Sequence, residues 1–253
     1  MIDASLRRRI ARSDHWCARI LRRGYRGVYR FSLPAPRLIV RPILWIYIVL
    51  RSAWHFALRV FLCEPLFKAY CRSYGRNLHT GVSLHWVQGR GDIIVGDDVW
   101  IDGKSTFTFA HRFADRPTLR IGDRSGVGHN CTFVIAKGVT VGKRCLISGD
   151  VMIFDSSGHA TDPEARRAGR PPGDEDVREV TIGDDVWIGV RSIIFPGVRI
   201  GDGSVISAGS VVRTHVPPRC VAAGNPARVV FRMPPPAADA SAPATSRAPW
   251  MGA

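Results

Sequence analysis

The sequence predicts a mainly β fold, a parallel β-helix preceded by a helical N-terminal segment. The first observation is an aliphatic residue at every sixth position from about residue 93 onwards. The second is an apolar stretch between Pro42 and Cys63, bounded by prolines at 42 and 65. A period of six fits neither an α-helix, at 3.6 residues per turn, nor a lone amphipathic strand, at 2. It fits a triangular prism in which each hexad forms one short strand and one corner, and in which stacked coils share one core.

The register of this repeat can be followed along the chain, with two slips of two residues and one interruption. The eighteen positions are Val95, Ile101, Phe107, Phe113, Leu119, Ile121, Val127, Phe133, Val139, Val141, Ile147, Ile153, Ile182, Ile188, Ile194, Ile200, Ile206 and Val212. The small residues that follow four positions later are Val99, Ser105, Ser125, Cys131, Cys145, Val151, Val186, Ser192, Val198, Ser204 and Ser210. Lys137 is the exception to this series. We expect the aliphatic residue to fill each corner and the small residue the narrow interior, which makes Cys131 and Cys145 core residues rather than nucleophiles.

The basic character of the chain is concentrated in residues 1–80, which hold 16 Lys and Arg against three acidic residues, whereas the remainder holds 20 against 18. We expect this segment to be largely helical, with a helix of about 22 residues from Pro42 to Cys63. Arg51 and Arg59 leave no uncharged run longer than nine residues, which favours a helix lying in a membrane interface over one spanning the bilayer. A helical hairpin packed on the main domain or on a neighbouring subunit is the alternative.

The cysteines and the N-terminus bear on the compartment. The six cysteines show neither a CxxC pair nor a metal-ligand spacing, so we expect no disulfide framework and no metal. The first apolar stretch begins too late, behind too many arginines, for a cleavable signal peptide. These features predict a cytoplasmic protein, at most peripheral to the inner face of the plasma membrane. The basic leader has no aromatic-interleaved recognition motif, so no nucleic-acid partner is expected.

The repeat is interrupted between residues 154 and 181, where we predict a loop that leaves a β-helix domain of residues 81–232. Loops of this length in a compact repeat domain are usually functional. This one carries His159 directly after Gly158, and a neutral imidazole can accept the proton of an attacking hydroxyl. Residues 233–253 are rich in Pro, Ala and Ser, and we predict a disordered tail.

Three motifs make residues 93–231 resemble the hexapeptide-repeat acyltransferases, and among them the galactoside, maltose and xenobiotic acetyltransferase group. They are Ser157-Gly158-His159 followed by Asp162 to Gly169, similar to the catalytic loop of that group, then Ile182 to Gly189, similar to its returning coil, and Gly224 to Arg228, similar to its closing signature. The resemblance implies a left-handed β-helix and a homotrimer with active sites between adjacent prisms. It also implies transfer of an acetyl group from acetyl-CoA to a hydroxyl of a sugar or glycan precursor, in polysaccharide biosynthesis.

The same resemblance implies roles for individual residues, with His159 as general base. The positions where the family contacts coenzyme A are Trp187, Val190 (through its backbone), Ala208, Arg213 and Arg228. Asn130 and Asp155 are the candidates for binding the acceptor hydroxyl, with a corner or turn role as the alternative for each. A structural role also stays open for Trp187, because Trp100 occupies the same place in an earlier repeat.

This chain departs from the family pattern in two places. The last coil has Val212-Arg213-Thr214-His215 where the family has Val-Thr-Lys-Asp, which moves the cation by one position. Ile135-Ala136-Lys137 replaces the acidic pair of the galactoside enzymes, so galactoside is not the expected acceptor. The basic leader instead favours a lipid-linked or nucleotide-activated sugar. A serine acetyltransferase-like enzyme and a non-enzymatic trimeric scaffold are the alternatives.

Overall fold

The structure is a computed structural model and describes residues 11–235. The chain divides into two compact units, the first comprising residues 1–52 and the second residues 53–253. The predicted disordered tail lies, from residue 236 onwards, outside the described residues.

Helices occupy the N-terminal part of the described chain, as predicted. Helix α1 is Trp16–Arg30, helix α2 is Arg37–Leu58, and a π-helical turn at Arg59–Cys63 leads into helix α3, Glu64–Tyr70. The run Arg37–Tyr70 is long and apolar enough to cross a membrane by length and composition alone. Its most apolar 18-residue window has a mean hydropathy of 1.4, and 6% of that window is buried.

The start of α2 corrects the prediction that a helix begins at Pro42. The carbonyl oxygen of Pro36 accepts the N–H groups of Ile39 and Val40, both at 3.0 Å, so the first turn is formed before Pro42 is reached. Pro42 therefore lies inside the helix, where it removes one backbone hydrogen bond near the N-terminal end.

Three parallel sheets form the walls of a prism. The first sheet contains β1 (Cys71–Tyr74), β4 (Asp92–Val95), β7 (Thr118–Ile121), β10 (Gly138–Val141), β13 (Val180–Ile182) and β16 (Arg199–Ile200). The second contains β2 (His79–Thr80), β5 (Trp100–Ile101), β8 (Gly126–Val127), β11 (Leu146–Ile147), β14 (Trp187–Ile188), β17 (Val205–Ile206), β19 (Cys220–Gly224) and β20 (Ala227–Arg232). The third contains β3 (Trp86–Gln88), β6 (Thr106–Phe109), β9 (Thr132–Ile135), β12 (Met152–Phe154), β15 (Ile193–Ile194) and β18 (Val211–Val212).

From β1 to β18, consecutive strands enter the first, second and third sheets in turn, so every three strands complete one coil. All neighbours pair in parallel except β19 and β20, which close the second sheet as an antiparallel hairpin. The predicted left-handed β-helix with a helical N-terminal segment is confirmed. The prism begins earlier than predicted, because β1 at Cys71 already pairs with β4.

The interior of the prism follows the predicted register with one error. Every predicted aliphatic position is buried except Phe113, which lies in a loop at residues 110–117 between β6 and β7. The two slips have a simple origin. Strands of the first sheet are long enough to point two residues inwards, such as Leu119 and Ile121 on β7.

The corners are built differently from the prediction. The aliphatic residues lie on the strands, and most corners that follow a strand of the first or second sheet are two-residue turns whose second residue is left-handed, such as Asp98 (φ 57°) or Lys104 (φ 65°). The small residue follows directly and points inwards. Cys131 and Cys145 are buried, as predicted for core residues, and burial raises the pKa of Cys131 to about 12 and that of Cys145 to about 11.

Candidate active site

A long loop at residues 155–179 leaves the prism between β12 and β13, at the edge where the third sheet meets the first. It contains helix α4, Pro163–Arg167, and a 3-10 turn at Asp174–Asp176. The Asp162 carboxylate caps α4 by accepting the N–H of Ala165 at 2.6 Å. The predicted loop is therefore present, with its own local structure.

Asp155 is the first residue of this loop, and its side chain anchors the loop to the coil beneath it. Its carboxylate accepts the backbone N–H groups of Ala136, Lys137 and Gly138, each at 2.7 Å, and its side chain is fully buried. Its carbonyl oxygen accepts the N–H of Arg178 at 2.9 Å, which ties the far end of the loop to the same point. Burial raises the pKa of Asp155, against the opposing effect of the three donors. The predicted role in binding an acceptor hydroxyl is wrong, because the carboxylate has no free surface.

Lys137 is a loop-positioning residue that sequence reasoning missed. Its ammonium donates to the carbonyl oxygens of Val177 at 3.0 Å and Asp174 at 3.4 Å. The signal for it was present, since Lys137 is the one residue that breaks the series of small interior residues. The segment that replaces the acidic pair of the galactoside enzymes thus holds the loop from below.

His159 lies on the exposed part of the loop. The Ser157 hydroxyl donates to the carbonyl oxygen of His159 at 2.9 Å, and Gly158 adopts φ 76° with its N–H donating to the Ser156 hydroxyl at 3.1 Å. A left-handed residue at this point favours glycine. Within residues 11–235 the imidazole has no hydrogen-bonding partner. The backbone turn therefore positions His159 on the loop while its ring is exposed.

The predicted coenzyme A residues fall on two different edges of the prism. Val190 and Ala208 occupy stacked turns at the edge between the second and third sheets, where the carbonyl oxygen of Val190 accepts the N–H of Gly209 at 2.8 Å. Trp187, 50% exposed, lies on the adjoining strand β14. Arg228 is exposed on β20 opposite Ala223, near the same edge. These four positions therefore form one group.

Arg213 does not join that group. It follows β18 at the opposite edge of the third sheet, and its guanidinium lies 4.6 Å from the centre of the Phe195 ring. The six residues from Val190 to Phe195 span on the order of 15 Å along the sheet. Arg213 therefore shares its edge with the loop of His159, and within one protomer the other four positions are remote from that histidine.

Asn130 is a corner residue. It adopts φ 56°, and its side-chain amide donates to the Asp150 carboxylate at 2.6 Å. It lies at the edge between the second and third sheets, two coils from Val190 and away from the His159 loop. The structure favours its structural role over contact with an acceptor at His159 in the same protomer.

A cleft of about 320 Å³ opens between the His159 loop and the loop at residues 110–117. Its walls include Phe109, Arg112 and Phe113 on one side and Ser156 and Gly158 on the other. Across residues 11–235, no three His, Cys, Asp or Glu side chains come close enough together to hold a metal ion.

Comparisons with known proteins agree with this architecture. Residues 118–154 and 179–213 match the family model described as hexapeptide repeat of succinyl-transferase. Galactoside O-acetyltransferase of Escherichia coli is 37% identical over 136 residues, which cover 54% of this chain and 62% of that protein. Galactoside O-acetyltransferase of Lactococcus lactis is 37% identical over 100 residues, which cover 40% of this chain and 46% of that protein. The chain thus spans about half the length of the curated relatives it matches.

A solved structure shows the same fold. It is a mutant of AntD, an N-acyltransferase from Bacillus cereus, in complex with dTDP-4-amino-4,6-dideoxyglucose and coenzyme A. The match has a TM-score of 0.54 and 21% identity, and covers 68% of this chain and 89% of AntD.

The prism contains hexapeptide repeats over the residues that the family model matches. The resemblance to the hexapeptide-repeat acyltransferases, and within them to the galactoside, maltose and xenobiotic acetyltransferase group, is confirmed by the named relatives.

Proposed function

We propose that this chain is a coenzyme A-dependent O-acetyltransferase, which moves an acetyl group from acetyl-CoA to a hydroxyl of a sugar or glycan precursor. The observation that carries this proposal is the arrangement of His159. Its imidazole is exposed and unpartnered within the described residues, on a loop whose two ends are tied together at Asp155. The named relatives are sugar acetyltransferases, which supports the same chemistry.

The reaction needs a base and a bound thioester. The neutral imidazole of His159 accepts the proton of the acceptor hydroxyl as its oxygen attacks the thioester carbonyl carbon. The C–S bond then breaks, and the imidazolium returns the proton to the departing thiolate. At the other edge, Arg228 offers a guanidinium suited to a phosphate of coenzyme A, and Trp187 and Ala208 offer surface for the pantetheine arm.

The active site is proposed to form between protomers of a homotrimer. His159 and the group of Trp187, Val190 and Ala208 lie on opposite edges of the third sheet, so one protomer offers each half but not both together. The outer face of that sheet supports contact between copies, because it includes apolar side chains such as Trp86, 67% exposed, and Met152, 41% exposed. Burying such a face against a second copy would stabilise the assembly.

The N-terminal helices are proposed to hold the enzyme at the inner, anionic face of a membrane. Helix α2 exposes apolar side chains such as Leu38 (91%) and Trp45 (67%), while Arg37, Arg41 and Arg51 lie on one side of it. At 100° per residue those three arginines fall within an arc of about 80°. This pattern suits a helix that lies in the interface between water and lipid.

Thiol release from acetyl-CoA by the purified chain tests the proposed activity, with a panel of sugars, sugar phosphates, nucleotide sugars and L-serine as acceptors. We expect acceptor-dependent release with a sugar, and a loss of about 10²- to 10⁴-fold in kcat in His159→Ala at unchanged Tm. His15→Ala, at an exposed position just before α1, is the control and should keep its activity. Release only with L-serine would identify the serine acetyltransferase alternative. No release with any acceptor, together with no binding of coenzyme A by calorimetry, would support the scaffold alternative.

A further inference from the structure

We infer that the cleft beside the His159 loop binds an anionic acceptor, with Arg112 and His111 holding a phosphate or carboxylate group of a sugar. The inference rests on the proposed function, because it names the substrate class of the same site. Neither residue belongs to the repeat, and both lie in the loop that interrupts it at residues 110–117.

The topology brings two loops to one edge of the prism. The loop at 110–117 follows β6 and the His159 loop follows β12, and both strands end at the edge between the third and first sheets. Thr108 of β6 pairs with Val134 of β9, which in turn pairs with Phe154 of β12. The two loops are therefore separated by a single coil, and Val134 forms the floor of the cleft between them.

The walls of the cleft suit a sugar. Phe113 is half-buried there, displaced from the core position that the repeat period predicts for it, and the buried Phe109 also lines the cleft. Aromatic rings offer an apolar surface for the C–H face of a pyranose. The opposite wall contains Ser156 and Gly158, which carry a hydroxyl and a peptide group. At about 320 Å³ the cleft is at the lower end of the range for small-molecule sites.

The charge in the cleft is unbalanced. Arg112 and His111 are both exposed, and Arg112 makes no ion pair within residues 11–235. By contrast Arg116, four residues further along the same loop, lies 3.8 Å from the Asp92 carboxylate. A free guanidinium at the mouth of a cleft recognises phosphate and carboxylate groups through paired hydrogen bonds.

The position of the cleft connects this charge to the reaction. Gly158 lines the cleft and His159 is the next residue, with consecutive Cα atoms about 3.8 Å apart. An acceptor whose anionic group is held by Arg112 would therefore direct a ring hydroxyl towards His159. The anionic group fixes the orientation of the sugar in the cleft. Contacts to neutral hydroxyls alone would define that orientation poorly.

The test compares matched acceptors with the full chain. Acetyl transfer is measured with a neutral hexose, its 1-phosphate, its nucleotide diphosphate derivative and the corresponding uronic acid. We expect an anionic acceptor to be preferred over the neutral hexose by roughly tenfold or more in kcat/KM, mainly through KM. The preferred anion separates a phosphate source from a carboxylate source. Arg112→Gln should collapse this preference, Arg112→Lys should restore part of it, and Arg116→Gln should leave it in place.

Binding of the hexose 1-phosphate and the uronic acid, followed by calorimetry in wild type, Arg112→Gln and His159→Ala, keeps the two proposals separate. Binding that is lost in Arg112→Gln and kept in His159→Ala supports the anion site even if no acetyl transfer is found. A preference for the neutral hexose, or equal anion binding by wild type and Arg112→Gln, would overturn the inference while leaving the acetyltransferase proposal standing.

Discussion

The Asp155 carboxylate accepts the backbone N–H of Lys137 at 2.7 Å, and the Lys137 ammonium reaches back over the loop to donate to the carbonyl oxygen of Val177 at 3.0 Å. The two residues thus form a reciprocal clamp between one coil and the loop that leaves the next. The loop can carry an exposed His159 in a defined place because both of its ends are fixed at this clamp.

Asp155→Asn tests the buried half of the clamp. An amide has one acceptor oxygen where the carboxylate has two, so at least one of the three N–H donors loses its partner in a buried site. We expect a loss of about 2 kcal/mol in the free energy of unfolding, together with a lower kcat. Urea denaturation measures the first and thiol release the second. Glu164→Gln, an exposed carboxylate of the same loop, is the matched control and should change neither.

Lys137→Met tests the lysine half of the clamp. The loop contains Arg166 and Arg167, both exposed and neither followed by proline, so trypsin can cleave after them once the loop opens. Loss of a hydrogen bond worth about 1 kcal/mol should make cleavage in the loop about fivefold faster, and should lower kcat more than it raises KM. Lys143→Met removes an ion pair with Asp123 elsewhere on the prism and should leave loop cleavage unchanged. Equal cleavage rates in wild type and Lys137→Met would show that Lys137 does not hold the loop.

His85 gives the fold a pH dependence. Its ring packs against Phe67 and Phe107, and neither nitrogen makes a hydrogen bond of normal geometry within the described residues. Burial lowers the pKa of His85 from 6.5 to about 4, outweighing the opposing effect of Asp102. The unfolded chain therefore binds a proton at a higher pH than the folded chain does.

The stability linked to His85 is complete above about pH 6.5 and falls as the pH drops towards 4. At about 1.4 kcal/mol per pKa unit, the loss is about 3 kcal/mol. Denaturation curves between pH 7 and pH 4 measure it, and His85→Leu should flatten the profile relative to wild type. The exposed His129→Leu is the control. A His85→Leu profile as steep as that of wild type would assign the acid sensitivity to other groups.

Mixing two inactive variants tests whether the active site lies between protomers. His159→Ala removes the base. Ala208→Trp fills the edge between the second and third sheets, which carries the proposed coenzyme A positions and is called the donor edge here. If each site takes its base from one copy and its donor edge from the next, every mixed trimer has one intact site. Random mixing in equal amounts gives about three quarters mixed trimers, so about a quarter of wild-type activity should return.

The control for this experiment is exchange of subunits, followed with two affinity tags. Activity that stays at the level of the separate variants after proven exchange would place base and donor edge in a single protomer.

The sequence period predicted the strands well because it reports directly which side chains face the interior. It failed at Phe113 because Phe107 and Leu119 are two six-residue periods apart, so the loop at 110–117 between them does not interrupt the pattern. It also could not assign Asp155. A carboxylate just before a serine and glycine segment resembles a ligand contact, and only the folded chain shows three backbone N–H groups converging on it. Such backbone contacts leave no pattern in the side chains.

The arginine side of α2 makes the proposed membrane contact testable with vesicles. Each Arg near an anionic surface contributes about 1 kcal/mol, so Arg37→Glu with Arg41→Glu should weaken binding to vesicles containing anionic lipid by at least about tenfold. Arg120→Glu with Arg199→Glu, on exposed positions of the first sheet, carries the same charge change and should bind as wild type does. Flotation on a density gradient measures binding, with purely zwitterionic vesicles as the reference.

A helix in the interface is released by high salt or alkaline carbonate, whereas one that spans the bilayer is not. Retention after both washes would therefore replace the interfacial arrangement with a spanning one, and equal binding to both kinds of vesicle would remove the role of the arginines.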